Sequence, residues 1–103
     1  MITCIVKYEI DPDKLPEFEQ YAKMWIPLVE RLGGHHHGYF LPSEGANDNA
    51  FALFSFPSLA DYEAYRLRAS EDAGCRAAVE FQQLTKCFVR YERSFFRPIL
   101  SGS

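Results

Sequence analysis

Hydrophobic and polar residues alternate with a period of two near both ends of the chain. Residues 2–10 and residues 86–96 show this pattern, which predicts two strands that each bury one side. Residues 50–56 are apolar at nearly every position, as in a central strand that is covered on both faces. Residues 35–42 predict a further strand, and the polar residues 43–49 predict the turn that follows it.

Apolar residues three and four positions apart predict a long amphipathic helix over residues 14–32. Pro27 lies inside this segment and is expected to kink it, whereas the glycine pair at residues 33–34 is expected to end it. Ser58 and Asp61 form an S-x-x-D capping box at the start of a second helix, which is predicted to reach about residue 69. A break is predicted at residues 70–72. Apolar residues three and four positions apart then predict a further helical segment over residues 76–84.

The order strand, helix, strand, strand, helix, strand predicts an α+β fold of the ferredoxin-like βαββαβ type. Its four-stranded antiparallel sheet carries the helices on one face. We expect a single domain over residues 1–100 and a disordered tail at residues 101–103. The opposite face of the sheet would be bare, so the sequence predicts a homodimer that packs two sheets face to face as a dimeric α/β barrel.

Composition sharpens this prediction. Nine Phe, six Tyr and one Trp in 103 residues are more large rings than one small core easily holds, which favours an interface or a pocket. The net charge of −3 argues against nonspecific nucleic-acid binding. Three cysteines without metal-site spacing predict free thiols, and no signal peptide or membrane span is apparent. We therefore expect a cytoplasmic protein with no nucleic-acid or membrane partner.

The sequence resembles the NIPSNAP family, within the dimeric α/β-barrel superfamily. The resemblance spans nearly the whole chain, and the segments that carry it are Gly38-Tyr39-Phe40, Ser43-Glu44-Gly45, Asn47-Asp48-Asn49, Leu53-Phe54-Ser55-Phe56, Ser58-Leu59 with Asp61 and Arg66, and Phe96-Arg97-Pro98-Ile99-Leu100.

The resemblance implies a fold and an assembly but no catalytic residues, because the family has no agreed ones. The wider superfamily includes cofactor-independent monooxygenases, isomerases and haem-degrading enzymes, which implies a pocket between sheet and helices by analogy. The chain departs from its relatives at Phe54 and Phe56, where a Trp-x-Tyr pair is usual, so two polar handles for a ligand are missing.

Three consecutive histidines are the most conspicuous candidate chemistry. On a strand His35 and His37 share one face, where either could act as a general base near neutral pH. As a metal pair they would need a third ligand such as Glu44 or Asp48, and polar residues at the start of a strand are the favoured interpretation. We expect no metal and no cofactor.

Other candidates lie on the strands and on the second helix. Arg90 and Arg93 have opposite parity on the last strand, so only one can face a given pocket, and Arg66 could hold a carboxylate with its planar fork. Strict alternation puts Phe88 and Tyr91 on opposite faces of that strand. The remaining candidates are tyrosines that could orient a ligand but are expected to pack in the dimer interface: Tyr8, Tyr39 and Tyr91.

Three hypotheses follow. The first is a homodimeric protein of uncharacterised role that binds a small organic molecule between sheet and helices. The alternatives are a cofactor-independent enzyme of monooxygenase or isomerase type and a non-catalytic protein-interaction module. For the enzyme, His35 or His37 would be the base, and Tyr39 or Arg90 would stabilise an oxyanion.

Overall fold

A computed structural model describes residues 1–101, so the last two residues of the predicted tail lie outside the described part of the chain. A short 3₁₀ turn, Pro12–Lys14, precedes the first helix. The strands and helices, numbered in chain order, are β1 Ile2–Ile10, α1 Leu15–Arg31, β2 His35–Phe40, β3 Asn49–Phe56, α2 Leu59–Glu71, α3 Ala73–Thr85 and β4 Phe88–Phe96.

The four strands form one antiparallel sheet in the order β2-β3-β1-β4, and the helices cover one face of it. This confirms the predicted ferredoxin-like α+β fold. The first helix runs without interruption past Pro27, and Gly33 ends it with a φ of 107°. The Ser58 hydroxyl accepts from the Asp61 backbone N–H at 3.2 Å, as the capping box predicts.

The core lies between the sheet and α1 and is largely aromatic. Alternate residues of β1 point into it, from Cys4 to Ile10, and all four are buried. Phe18 of α1 is 0% exposed and sits at the centre, with its ring centroid 5.1 Å from that of Tyr8 and 6.0 Å from that of Tyr39. The aromatic surplus therefore contributes first to this core.

The three tyrosines expected in the dimer interface lie on the helix-covered face instead. Tyr8 pairs with Ala50 and Tyr39 pairs with Ala52, two positions of β3 that are fully buried beneath the helices. Tyr91 lies opposite Tyr8 on the same face. For Tyr8 and Tyr39 the prediction was wrong, because the small alanines of β3 leave room under the helices for the rings of the neighbouring strands.

A β-bulge changes the side of the sheet on which Phe88 lies. Arg90 pairs with Glu9, but Ile10 pairs with Phe88, so Val89 is an extra residue in β4. Phe88 consequently shares a face with Tyr91, and its ring centroid lies 5.0 Å from that of Tyr8. The prediction that Phe88 and Tyr91 lie on opposite faces of the sheet was wrong, because the extra residue in the bulge reverses the alternation between the two positions.

Asp72, between α2 and α3, ties all three helices together. Its backbone N–H donates to the Ala69 carbonyl at the end of α2, and its carboxylate accepts from the Cys75 N–H at the start of α3. Both carboxylate oxygens also contact the Arg31 guanidinium of α1, at 2.9 Å each. These bonds hold the pKa of the Asp72 carboxyl well below its usual range, and the bond to Arg31 has the largest effect.

The other side of the sheet, here called the open face, is not covered by any helix. Its side chains are mixed in character. Phe40, Phe51 and Phe96 are exposed on it, whereas β1 contributes both apolar and charged residues. Strand register assigns to the open face Thr3, Ile5, Lys7, Glu9, His35, Phe40, Asn49, Phe51, Leu53, Ser55, Arg90, Glu92, Ser94 and Phe96.

His36 is the histidine of the triplet that enters the core. It is 7% exposed and stacks between Tyr39 and Phe54, with centroids 5.1 and 5.5 Å away. Its Nδ1 accepts from the Gly38 N–H at 2.9 Å, while Nε2 is buried without a hydrogen-bond partner among the described residues. Burial lowers the pKa of His36 to about 4, and the Glu30 carboxylate opposes this shift.

Replacing Phe18 by alanine should lower the free energy of unfolding by about 3–5 kcal/mol, because a fully buried ring and its four aromatic neighbours lose their contacts. Urea denaturation followed by circular dichroism measures the change. Leu67→Ala on α2 is the control, since Leu67 is 74% exposed and its loss should change stability little. Equal effects of the two substitutions would contradict the assignment of Phe18 to the core.

The free energy of unfolding should fall as pH drops from about 6.5 to about 4. The unfolded chain takes up the His36 proton near its ordinary pKa of 6.5, whereas the folded protein resists protonation down to about 4. His36→Phe preserves the ring stack and should flatten this slope in urea denaturation, while His35→Gln, at an exposed position, should retain it. A wild-type slope in His36→Phe would contradict the assignment.

Candidate functional site

A cleft of about 580 Å³ lies between the helices and the side of the sheet formed by β1, β3 and β4. It opens over β4, whose residues are exposed apart from a half-buried Phe88. This volume is within the usual range for small-molecule sites. The cleft therefore occupies the place that the resemblance implied for a pocket.

The floor of the cleft comes from the sheet and its walls come from three helices. Each helix contributes residues at three- or four-residue spacing, because that spacing keeps them on one helix face. The floor residues are Tyr8, Phe54, Phe88, Tyr91 and Arg93; the wall residues are Tyr21, Trp25, Tyr62, Tyr65, Arg66, Ala69, Ser70, Cys75, Arg76, Val79, Glu80 and Gln82.

Aromatic rings line one end of the cleft. The centroid of Phe88 is 5.4 Å from that of Tyr21 and 5.9 Å from that of Tyr91, and Tyr21 is 6.3 Å from Trp25. Burial raises the pKa of Tyr21 to about 12, with the Trp25 indole N–H acting in the opposite direction. The Tyr21 phenol is therefore neutral at physiological pH and can both donate and accept a hydrogen bond.

Two arginines lie farther along the cleft. The Arg66 Nη1 donates to the Tyr62 hydroxyl at 2.9 Å, and the Arg93 guanidinium lies 5.4 Å from the centroid of the Tyr91 ring. Neither arginine is within ion-pair distance of a carboxylate in the part of the chain that the structure describes. Both guanidinium groups therefore retain unused donors.

The cleft is positively charged, although the chain as a whole is negative. Three arginines against one glutamate among its lining residues give a formal charge of +2, compared with −3 for the whole protein. Burial raises the pKa of the Cys4 thiol to about 11, and the nearby charges of Arg93 and Arg66 oppose that rise. Both guanidinium groups thus act on the same part of the core beside the cleft.

The two histidine candidates lie outside the cleft, along β2. His35 is exposed, and its Nδ1 is 3.3 Å from Oε1 of Glu30. His37 Nε2 lies 2.7 Å from the Ser55 hydroxyl on the open face, and that hydroxyl is 2.7 Å from the Thr3 hydroxyl. Because Ser55 is only 4% exposed, this chain of contacts satisfies polar groups and does not present a nucleophile to solvent.

The other two candidates are also separated from the cleft and from each other. Tyr39 is half-buried and packs against the aromatic core, and burial raises its phenol pKa well above the usual value. Arg90 lies on the open face with its Nη2 2.9 Å from Glu92 Oε1. His35 and His37 do lie together, with ring centroids 4.8 Å apart, but Tyr39 is on the other face of the sheet and Arg90 is at its opposite edge.

The cleft residues that sequence reasoning missed come mainly from α2 and α3. Tyr62 and Tyr65 share a helix face with Arg66, which the sequence analysis did single out, and that spacing was a usable signal for the two tyrosines. Trp25, assigned to the core from its helical stripe, is partly buried and also lines the cleft. Arg90 and Arg93 are an odd number of residues apart on the last strand, which predicted that only one of them would face a given pocket. Arg93 faces the cleft, and Arg90 does not.

The three cysteines are free and buried, as predicted. Burial raises the pKa of Cys75 to about 11, so its thiol stays protonated at neutral pH despite lining the cleft. Residues 1–101 contain no cluster of three His, Cys, Asp or Glu side chains suited to a metal ion. Within the same range, no helix has the length and hydropathy needed to span a bilayer.

Solved structures with the same fold come from several bacteria. A NIPSNAP family protein of unknown function from Agrobacterium tumefaciens superposes with a TM-score of 0.81 at 19% identity, covering 95% of this chain and 87% of that one. An uncharacterized NIPSNAP domain protein from Burkholderia xenovorans gives a TM-score of 0.80 at 16% identity, with coverage of 100% and 99%.

A putative antibiotic biosynthesis monooxygenase from Nitrosomonas europaea gives a TM-score of 0.75 at 14% identity, covering 97% of this chain and 100% of that one. At these identities the similarity shows the fold alone. No curated protein matches the sequence. The sequence model of the NIPSNAP family, however, matches residues 4–101, and the chain therefore belongs to the NIPSNAP family.

Proposed function

We propose that this protein is a homodimer that binds a small organic molecule in the cleft between the sheet and the helices. The cleft carries this proposal. It has about 580 Å³ of space, rings on its floor and walls, and a few polar groups at defined positions. A concave, mostly apolar site with a small number of convergent polar side chains is the usual form of a ligand site.

The composition of the cleft favours a ligand site over a gap left by loosely packed side chains. Its lining combines five phenols and an indole with three guanidinium groups. Arginines facing a cavity without carboxylate partners retain hydrogen-bonding capacity that water must otherwise satisfy. A ligand with complementary groups would replace that water.

Catalysis with a histidine base is not part of this proposal. Both candidate histidines lie outside the cleft, and its described lining contains no histidine. The similarity to a putative antibiotic biosynthesis monooxygenase makes small-molecule oxidation a chemistry to test once a ligand is known. At 14% identity it supplies no catalytic residue to transfer.

The open face supports self-association. Phe40 and Phe51 are direct neighbours across β2 and β3, and both are exposed, so a single chain leaves a cluster of rings in water. Lys7 lies directly opposite Phe51 on the neighbouring strand, with Glu9 and Arg90 beside it, so charges of both signs border the rings. A twofold axis would let the rings pack together and let opposite charges approach each other.

Filling the cleft should abolish ligand binding. Ala69→Phe on α2 places a ring into the space, and we expect it to eliminate the chemical-shift changes that apolar fragments induce in cleft residues by NMR. Ala60→Phe, at an exposed position of the same helix outside the cleft, is the matched control and should bind like wild type. Fragments that perturb both variants equally, or no fragment binding to wild type, would refute the ligand proposal.

Charging the open face should separate the dimer. Wild type should sediment as a dimer at micromolar concentration, whereas Phe51→Lys should sediment as a monomer, because a twofold interface would bring two buried ammonium groups together. Leu67→Lys, at an exposed helix position, should remain dimeric. A monomeric wild-type protein in analytical ultracentrifugation would refute the dimer.

A further inference from the structure

We propose that the cleft selects small carboxylates with an apolar or aromatic body, and that Arg66 and Arg93 hold the carboxylate. This inference rests on the proposed ligand site and adds the chemical class of the ligand. The two arginines come from different elements, α2 and β4, and both line the cleft. A carboxylate between them would receive charge-assisted hydrogen bonds from two directions.

Packing brings the two arginines to the same end of the cleft. Arg66 donates to the hydroxyl of Tyr62, whose ring contacts Phe95. Phe95 lies two residues from Arg93 on the same face of β4. Neither arginine has an ion-pair partner among the described residues. Arg76 also lines the cleft, from α3, and it lies one helical turn before Glu80, with which it forms no ion pair among the described residues.

Tyr62 adds a donor to this end of the cleft. Its hydroxyl oxygen accepts a hydrogen bond from Arg66 at 2.9 Å, so the hydroxyl proton can point elsewhere and donate to a ligand oxygen. Tyr62 is 7% exposed, and its ring is fixed by an edge contact with Phe95, centroid to centroid 4.8 Å. The donor is therefore held in place before a ligand arrives.

The apolar end of the cleft lies on the same strand as Arg93. The Arg93 guanidinium lies 5.4 Å from the Tyr91 ring, whose centroid is 5.9 Å from that of Phe88, so the charged and the apolar groups are no more than about 11 Å apart. Phe88, Tyr21 and Trp25 surround the end away from the arginines. A ligand with a carboxylate at one end and a ring at the other would match this division.

Hydrocinnamate and its neutral amide, hydrocinnamamide, have nearly the same shape but differ in charge, so their affinities for the cleft can be compared to isolate the effect of the charge. Trp25 is the only tryptophan in the chain and lines the cleft, so its fluorescence reports occupancy directly. We expect hydrocinnamate to bind at least about tenfold more tightly than the amide, since charged hydrogen bonds are the stronger ones. Added salt should weaken binding of the acid and leave that of the amide unchanged.

Arg93→Gln and Arg66→Gln should each reduce the affinity for hydrocinnamate by about tenfold or more, with little effect on the amide. Arg90→Gln is the matched control, because it removes the same charge from the same strand on the opposite face of the sheet. Titration calorimetry of folded variants, checked by circular dichroism, measures both affinities.

Equal affinity for acid and amide, unchanged by Arg93→Gln, would overturn the carboxylate inference and leave the ligand site intact. An effect of Arg90→Gln as large as that of Arg93→Gln would also overturn it, because long-range charge would then explain the preference. Absence of binding by either probe would overturn it too, and the fragment experiment with Ala69→Phe then shows whether the cleft binds any ligand.

Discussion

The three helices meet at Asp72, and residues on both sides of it line the cleft. One carboxylate caps α3, forms a two-pronged ion pair with Arg31 at the end of α1, and belongs to the residue at which α2 ends. A second connection runs from Arg68 of α2, whose Nη2 donates to the Leu32 carbonyl at 2.6 Å. These bonds join the three helices at one corner, and β4 is left largely exposed.

Close packing reinforces this corner. A Cβ atom on Gly74 would lie 2.7 Å from Cδ2 of Leu28, so the first turn of α3 rests directly on α1. β4 is an edge strand that the helices leave largely uncovered, so its side chains on the helix face remain accessible. Tyr91 and Arg93 are exposed there and form part of the floor of the cleft.

The two faces of the sheet carry different side chains and suit different binding partners. On the helix face, phenols kept neutral by burial accompany arginines without carboxylate partners, which suits a ligand of negative charge. On the open face, rings and charges of both signs suit a second copy of the chain. His37, Ser55 and Thr3 satisfy one another's polar groups there, so that burying this face would leave no hydroxyl of that group without a partner.

The sequence by itself determined the order of elements, the β1 boundaries, the capping box at Ser58 and the family. These features depend on local periodicity and on the conformational preferences of Pro, Gly and Ser, which are encoded within a few residues. The tertiary structure decided the rest. The extra residue Val89 moved Phe88 into the core, and the small side chains of Ala50 and Ala52 drew Tyr8 and Tyr39 beneath the helices. Strand pairing likewise placed the candidate histidines and Arg90 at opposite edges of the sheet. Such outcomes depend on contacts between residues far apart in the chain, which periodicity alone does not contain.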